Sequence, residues 1–196
     1  LGKLSITKTN TFWFIYKIFQ LTEETKLANE EHVIKIKQGV ETWNKWREEN
    51  PNIAPDLSKA DIRGCKLQKI NLINANLEET KLQYSNLFEA NLEKAELSKA
   101  KLLEVNMQSA NLKNANLSGA GLLESNLQFT DLENAKLEGA QFNEGTIFNQ
   151  TNIKGALLKD ATGLTSAQIS VSIKDSNTQL PDYLEEEMDD DFLLQM

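Results

Sequence analysis

From Leu57 to Ile147 every fifth residue is large and apolar. Of these nineteen positions fifteen are Leu, and the others are Ile62, Met107, Phe142 and Ile147. A second register lies two residues before each of them, from Pro55 to Gly145. There sixteen of nineteen residues are Ala, Ser, Thr, Cys or Gly, with Pro55, Ile70 and Val105 as the exceptions. An α-helix turns about 100° per residue, so a step of five scatters the large residues around its axis and forms no apolar stripe. In a flat strand side chains alternate with period two, so an odd step sends successive leucines to opposite faces. The pattern instead predicts a backbone that turns a corner in every five residues and returns each large residue, with its small partner, to the inside of a coil. Four corners close a square, so one coil takes about twenty residues and stacks on the next at about 4.8 Å. A narrow interior filled by Leu at one site has room only for Ala or Ser at the next.

The flanks read as covers for the two open ends of such a stack. Within residues 29–49, Val33, Ile36, Val40 and Trp43 fall at helical spacing, with Asn29 as an N-cap and Asn50-Pro51 as a stop, which predicts one helix over the first coil. At the other end the register slips by one, placed after Ile147, since Ile153 and Leu158 follow. Thr165 stands three residues before Gln168, the capping-box spacing of a short helix. Beyond Ser170 the chain reads as irregular, apart from docking of Leu180, Pro181, Tyr183 and Leu184.

Segments such as ANLEK (90–94), ANLKN, ANLSG and TDLEN (130–134) resemble the pentapeptide-repeat family, and the likeness runs over about residues 55–158. The lead-in at 38–62 is similar to one in bacterial, often cyanobacterial, members. The resemblance implies an all-β solenoid: a right-handed quadrilateral β-helix, here of about five coils, with an N-terminal capping α-helix and a short C-terminal helix. The expected division is an N-terminal extension at 1–28, the capping helix at 29–50, the β-helix at 51–164, and a short helix with an acidic tail at 165–196. It also implies a non-catalytic scaffold for protein–protein interaction. Some family members dimerise through a C-terminal helix, so a second copy is a candidate partner. Others resemble a DNA duplex and bind DNA gyrase, which is the alternative reading here.

Charge weakens that alternative. Net charge is −8, but residues 1–50, 51–164 and 165–196 contribute +1, −2 and −7, so most of the acidity sits in EEEMDDD at 185–191. The near-neutral repeat region carries Lys59, Lys81, Lys99 and Lys101 on its expected exterior, where a duplex mimic needs a strongly anionic rod. No basic stripe supports direct nucleic-acid binding. One cysteine, Cys65, and one histidine, His32, supply neither a disulfide nor a soft-metal cluster, which favours a reducing, cytoplasmic setting without metal or cofactor. Cys65 falls in the small inward register, and no catalytic motif is present. The apolar run at 11–21 is interrupted by Lys17 and is shorter than the ~20 residues that span a bilayer, so no membrane association is expected and packing or disorder is favoured. With no methionine before Met107, the first residues read either as a missing start or as residues upstream of the true one.

Function is then expected in the outward residues. Stacked columns such as Asn86, Asn106 and Asn126, or Asn71, Asn91 and Asn111, read as structural amide ladders. Glu104, Glu124 and Glu144 read as a solvated acidic edge in preference to a ligand site. The large apolar residues that the register places outside are Tyr84, Phe88, Leu103, Leu123, Phe129 and Phe148. They form the candidate interaction patch, covered either by the chain's own termini or by a partner, whose identity the sequence leaves unknown.

Overall fold

The computed structural model describes residues 28–184. The expectations for the apolar run at 11–21 and for the acidic run at 185–191 lie outside the described residues.

The repeats form a quadrilateral β-helix. Asp56 pairs in parallel with Asn76, Asp61 with Lys81, Lys66 with Asn86 and Asn71 with Asn91, and each series continues in steps of twenty residues as far as the coil that ends at Gln141. A side of the square contributes one bridging residue, so the sheet is a stack of short contacts and not of long strands. The residue before each central Leu carries this ladder. Leu57 donates its N–H to the Asn76 carbonyl at 2.8 Å, while Asn76 donates its own to the Pro55 carbonyl at 2.8 Å. Corners close on a turn in which the residue three beyond the central Leu donates back to it, as Ala60 does to Leu57 at 3.0 Å.

The inward registers are those read from the sequence over most of the coil. Leu57, Leu72, Leu92, Leu112 and Leu137 are completely buried, as are Ala75, Ala100, Ala115 and Ala140. Burying a Leu side chain contributes about 1.5–3 kcal/mol, so these columns dominate the stability of the stack. Inward hydroxyls are also satisfied. Thr80 Oγ1 donates to the Leu57 carbonyl at 2.7 Å, Ser85 Oγ to Ile62 at 2.9 Å and Thr130 Oγ1 to Met107 at 2.7 Å, each reaching the preceding coil. That explains why Ser and Thr alternate freely with Ala at the small position: the spare carbonyl lone pair takes the hydroxyl.

The slip occurs one repeat earlier than expected. The ladder changes from Gly121–Gln141, a step of twenty, to Asn126–Ile147, a step of twenty-one. Residues 143–146 make a longer corner, in which Thr146, not Gly145, turns inward and donates its hydroxyl to the Leu122 carbonyl at 3.0 Å. Phe148 consequently takes the core position, 2% exposed and edge-on to Phe142 at 5.4 Å, and Ile147 is turned out to 46% exposure. A fixed count of five selects Ile147, but the extra residue of the corner shifts the register by one and buries the larger ring of Phe148 instead.

The N-terminal cap is two helices, α1 (Glu30–Lys37) and α2 (Val40–Glu49), in place of the single helix expected. Gly39 breaks them apart with φ 109 and ψ 166, a backbone conformation open to glycine. Asn29 caps α1, accepting the Glu31 N–H at 2.9 Å. Together they imitate a preceding coil. Asp56 donates its N–H to His32 Nδ1 at 3.0 Å, and its carbonyl accepts from the Asn29 N–H at 3.1 Å. Asn71 is treated likewise: its N–H reaches Asn44 Oδ1 at 2.9 Å, and its carbonyl accepts Trp43 Nε1 at 2.7 Å. Arg47 completes the cover with its guanidinium on the Ile53 and Ile73 carbonyls. Trp46 packs between His32 and Trp43, with ring centres at 4.9 and 5.2 Å.

At the far end α3 (Ser166–Ser170) carries the expected capping box between Thr165 and Gln168. The buried Gln168 also donates through Nε2 to the Asn143 and Thr146 carbonyls, both at 2.8 Å, which pins α3 to the long corner. Residues beyond Ser170 are not irregular, as the sequence suggested, but extend the ladder: Ile173 pairs with Asn152 and Gln179 with Leu157. Pro181 and Leu184 are buried over the last coil.

Candidate interaction surface

Each unit shows three side chains outward. The third residue of the corner has positive φ in nearly every unit, from Lys59 at 58° to Asp160 at 59°. Non-glycine residues there bear a left-handed backbone that costs roughly 1–2 kcal/mol and suits Asn or Gly better than bulky side chains. Most occupants are Asn, Gly or charged residues. Tyr84 at 64° and Phe129 at 58° are the aromatic ones, and both are exposed, at 58% and 51%. Strain without burial makes these two rings a burden to the fold.

Tyr84, Leu103 and Leu123 share the side centred on Leu82, Leu102 and Leu122. The Tyr84 N–H donates to the Leu103 carbonyl at 3.0 Å, and the Glu104 N–H to the Leu123 carbonyl at 3.0 Å, so the three lie in successive coils. Leu103 and Leu123 are half-buried against their neighbours. Phe88 is half-buried on the next side, and Phe129 lies at that side's far corner, a full side away from Leu123. Phe148 leaves the patch altogether because it is in the core. In its place Ile147, missed by a count of five, stands outward in the column of Asn86, Asn106 and Asn126. A longer corner at 143–146 was the signal that would have found it.

Each amide column carries one side-chain rung: Asn106 Nδ2 donates to Asn86 Oδ1 at 3.3 Å and Asn111 Nδ2 to Asn91 Oδ1 at 3.2 Å, while the acceptor oxygens also hold the N–H two residues on, as Asn86 holds Phe88 at 3.0 Å. The acidic edge is interrupted. Glu124 accepts Asn143 Nδ2 at 2.8 Å and its carboxylate lies over Gly145, whose missing side chain leaves the room. Cys65 packs against the core, and burial pushes its thiol up. Opposite charges pair where they meet, as Lys113 does with Glu133 at 2.9 Å and Asp131 at 3.2 Å. No group of His, Cys, Asp and Glu among the described residues is arranged to hold a metal ion. Nor is any helix among them long and apolar enough to cross a membrane.

Twenty-residue coils with this side-chain plan define a class, and comparison supplies its name. The sequence matches pentapeptide repeats (8 copies) over residues 56–93, 85–122 and 122–162, more than half of its length. It belongs to the pentapeptide-repeat family, whose fold is the right-handed quadrilateral β-helix. Among solved structures it is similar to HetL, a pentapeptide repeat protein involved in heterocyst differentiation regulation, from the cyanobacterium Nostoc sp. strain PCC 7120. Identity is 30% and the TM-score 0.56, over 63% of this chain and 56% of that one. A pentapeptide repeat protein of the Arabidopsis thaliana thylakoid lumen is 27% identical, with a TM-score of 0.54 over 60% of this chain and 84% of the other. The chain thus spans about half the length of HetL. No curated protein matches the sequence significantly.

Proposed function

We propose that this protein is a non-catalytic cytoplasmic scaffold that binds another protein through the side bearing Tyr84, Leu103 and Leu123, with Ile147 on the adjoining side. The observation that carries this reading is Tyr84, an exposed ring held on a left-handed backbone beside two stacked leucines. The regulatory role named for HetL agrees with a binding function. The duplex-mimic reading is disfavoured because lysines interrupt the acidic exterior, and a gyrase supercoiling assay separates the two. In a pull-down from native extract, L103K/L123K is expected to lose a partner that the unaltered chain retains. Recovery of the same partner by both proteins would overturn the assignment.

A further inference from the structure

We infer that the corner beside this patch is a docking groove for an extended acidic segment of the partner, gripped by Lys81, Lys99 and Lys101. The inference rests on the scaffold reading and names the partner's chemistry. Lys59, Glu79, Lys81, Lys99 and Lys101 line an open groove of about 370 Å³, four cations against one carboxylate on a chain of net charge −8. Lys81 and Lys101 are direct ladder partners. Their stems therefore leave the backbone about 4.8 Å apart, with like charges facing each other. Lys69, Lys94 and Lys113 all reach a carboxylate within 4.0 Å elsewhere on the exterior. Among the described residues Lys81, Lys99 and Lys101 have no such ion pair; Asp61 acts on Lys81 only from a distance.

The floor favours an extended chain. One coil beyond the lysines both columns become glycine, Gly119 and Gly121, and the Lys99 stem passes 3.6 Å from where a Gly119 side chain would begin. Gly139 continues the bare strip in the following coil. Across the side, Lys101 and Leu103 are two residues apart, about 6.6 Å, and both point outward. An occupant with carboxylates toward the corner and an apolar residue toward Leu103 and Leu123 satisfies both halves. A long nucleic acid is disfavoured by the overall negative charge, whereas a short acidic peptide meets the local field. The chain's own acids at 185–191 follow Leu184, buried over the last coil. Three or four coils back to the lysines are about 14–19 Å, which at about 3.4 Å per residue takes five or six fully extended residues beyond Leu184.

The test is fluorescence anisotropy of the full chain with the labelled peptide Glu-Asp-Leu-Glu-Asp-Leu-Glu-Asp. Binding is expected, weakened at least tenfold by K81Q/K99Q/K101Q, in the same direction by K101Q alone, several-fold by L103S, and not by K154Q. Thermal melts of the variants, expected to match the parent, verify folding. Absence of binding, equal binding by the triple variant, or equally tight binding of an oligothymidylate of the same charge overturns the proposal. So does a tenfold gain in peptide affinity on neutralising the acids at 185–191, which assigns the groove to the chain's own segment. If the peptide fails while capture from extract still depends on Leu103 and Leu123, the scaffold reading stands and the acidic-segment inference falls.

Discussion

At Tyr84 and Phe129 two demands conflict. The coil requires positive φ at the end of each corner, and an aromatic side chain is poorly suited to it. Replacing either by Gly removes the strain while giving up little burial, so Y84G and F129G are expected to leave stability unchanged or raise it by about 1 kcal/mol, measured by urea denaturation. A clear loss would mean that the rings serve the fold. Asp61 gives a residue-scale pH effect. Its side-chain hydrogen bonds to Arg63, at 2.8 and 2.6 Å, hold its carboxyl down to about 2. The folded pKa lies below the unfolded value of about 3.9, so the stabilisation is present above pH 4 and disappears as pH falls through about 2. The melting temperature of D61N should lie slightly below that of the parent at pH 5 and meet it near pH 2. The pair is exposed, so added salt should narrow the gap.

Among the elements, the N-terminal helices show how a solenoid ends. The first coil has backbone donors and acceptors with no coil before them, and side chains of α1 and α2 stand in for that coil. Asn44 is the sharpest case because it serves Asn71 N–H and the Lys69 carbonyl together, the second at 3.0 Å. N44A removes both bonds and opens these partly exposed groups to water, with an expected cost of about 1 kcal/mol and faster hydrogen exchange at Asn71 than at Asn111 in mid-stack. The helical pattern, the Asn29 cap and the stop at Asn50 were legible in the sequence. The break at Gly39 was not, because apolar spacing continues across it and only the need to bring both His32 and Trp43 onto the coil requires a bend. Gln168 was legible as a capping residue, but its second role on the Asn143 and Thr146 carbonyls depends on a corner 22–25 residues away.

For the whole molecule, contacts run mainly to the coil before and the coil after, so stability accumulates coil by coil. Deleting residues 97–116, one full coil, should preserve inward registers and outward columns and leave a cooperative unfolding transition at lower temperature. Deleting eighteen residues from the same point moves polar side chains into the core and should abolish that transition; circular dichroism during heating distinguishes the outcomes. If the twenty-residue deletion also fails to fold, the stack is less modular than its ladder implies.

The sequence by itself determined the coil, since a repeat of large and small residues at a period matching neither helix nor strand leaves a backbone that turns every five residues. It also determined most of the core and the candidate status of Tyr84, Leu103 and Leu123. Tertiary structure decided what counting cannot. It chose Phe148 over Ile147 for the interior because competing burial, not spacing, sets the register at a longer corner. It showed Phe129, which the count had already placed on the next side, to be an exposed ring on a left-handed backbone. It also gathered Lys59, Lys81, Lys99 and Lys101, up to 42 residues apart, into one groove, because only the closed square makes residues twenty apart in sequence neighbours in space.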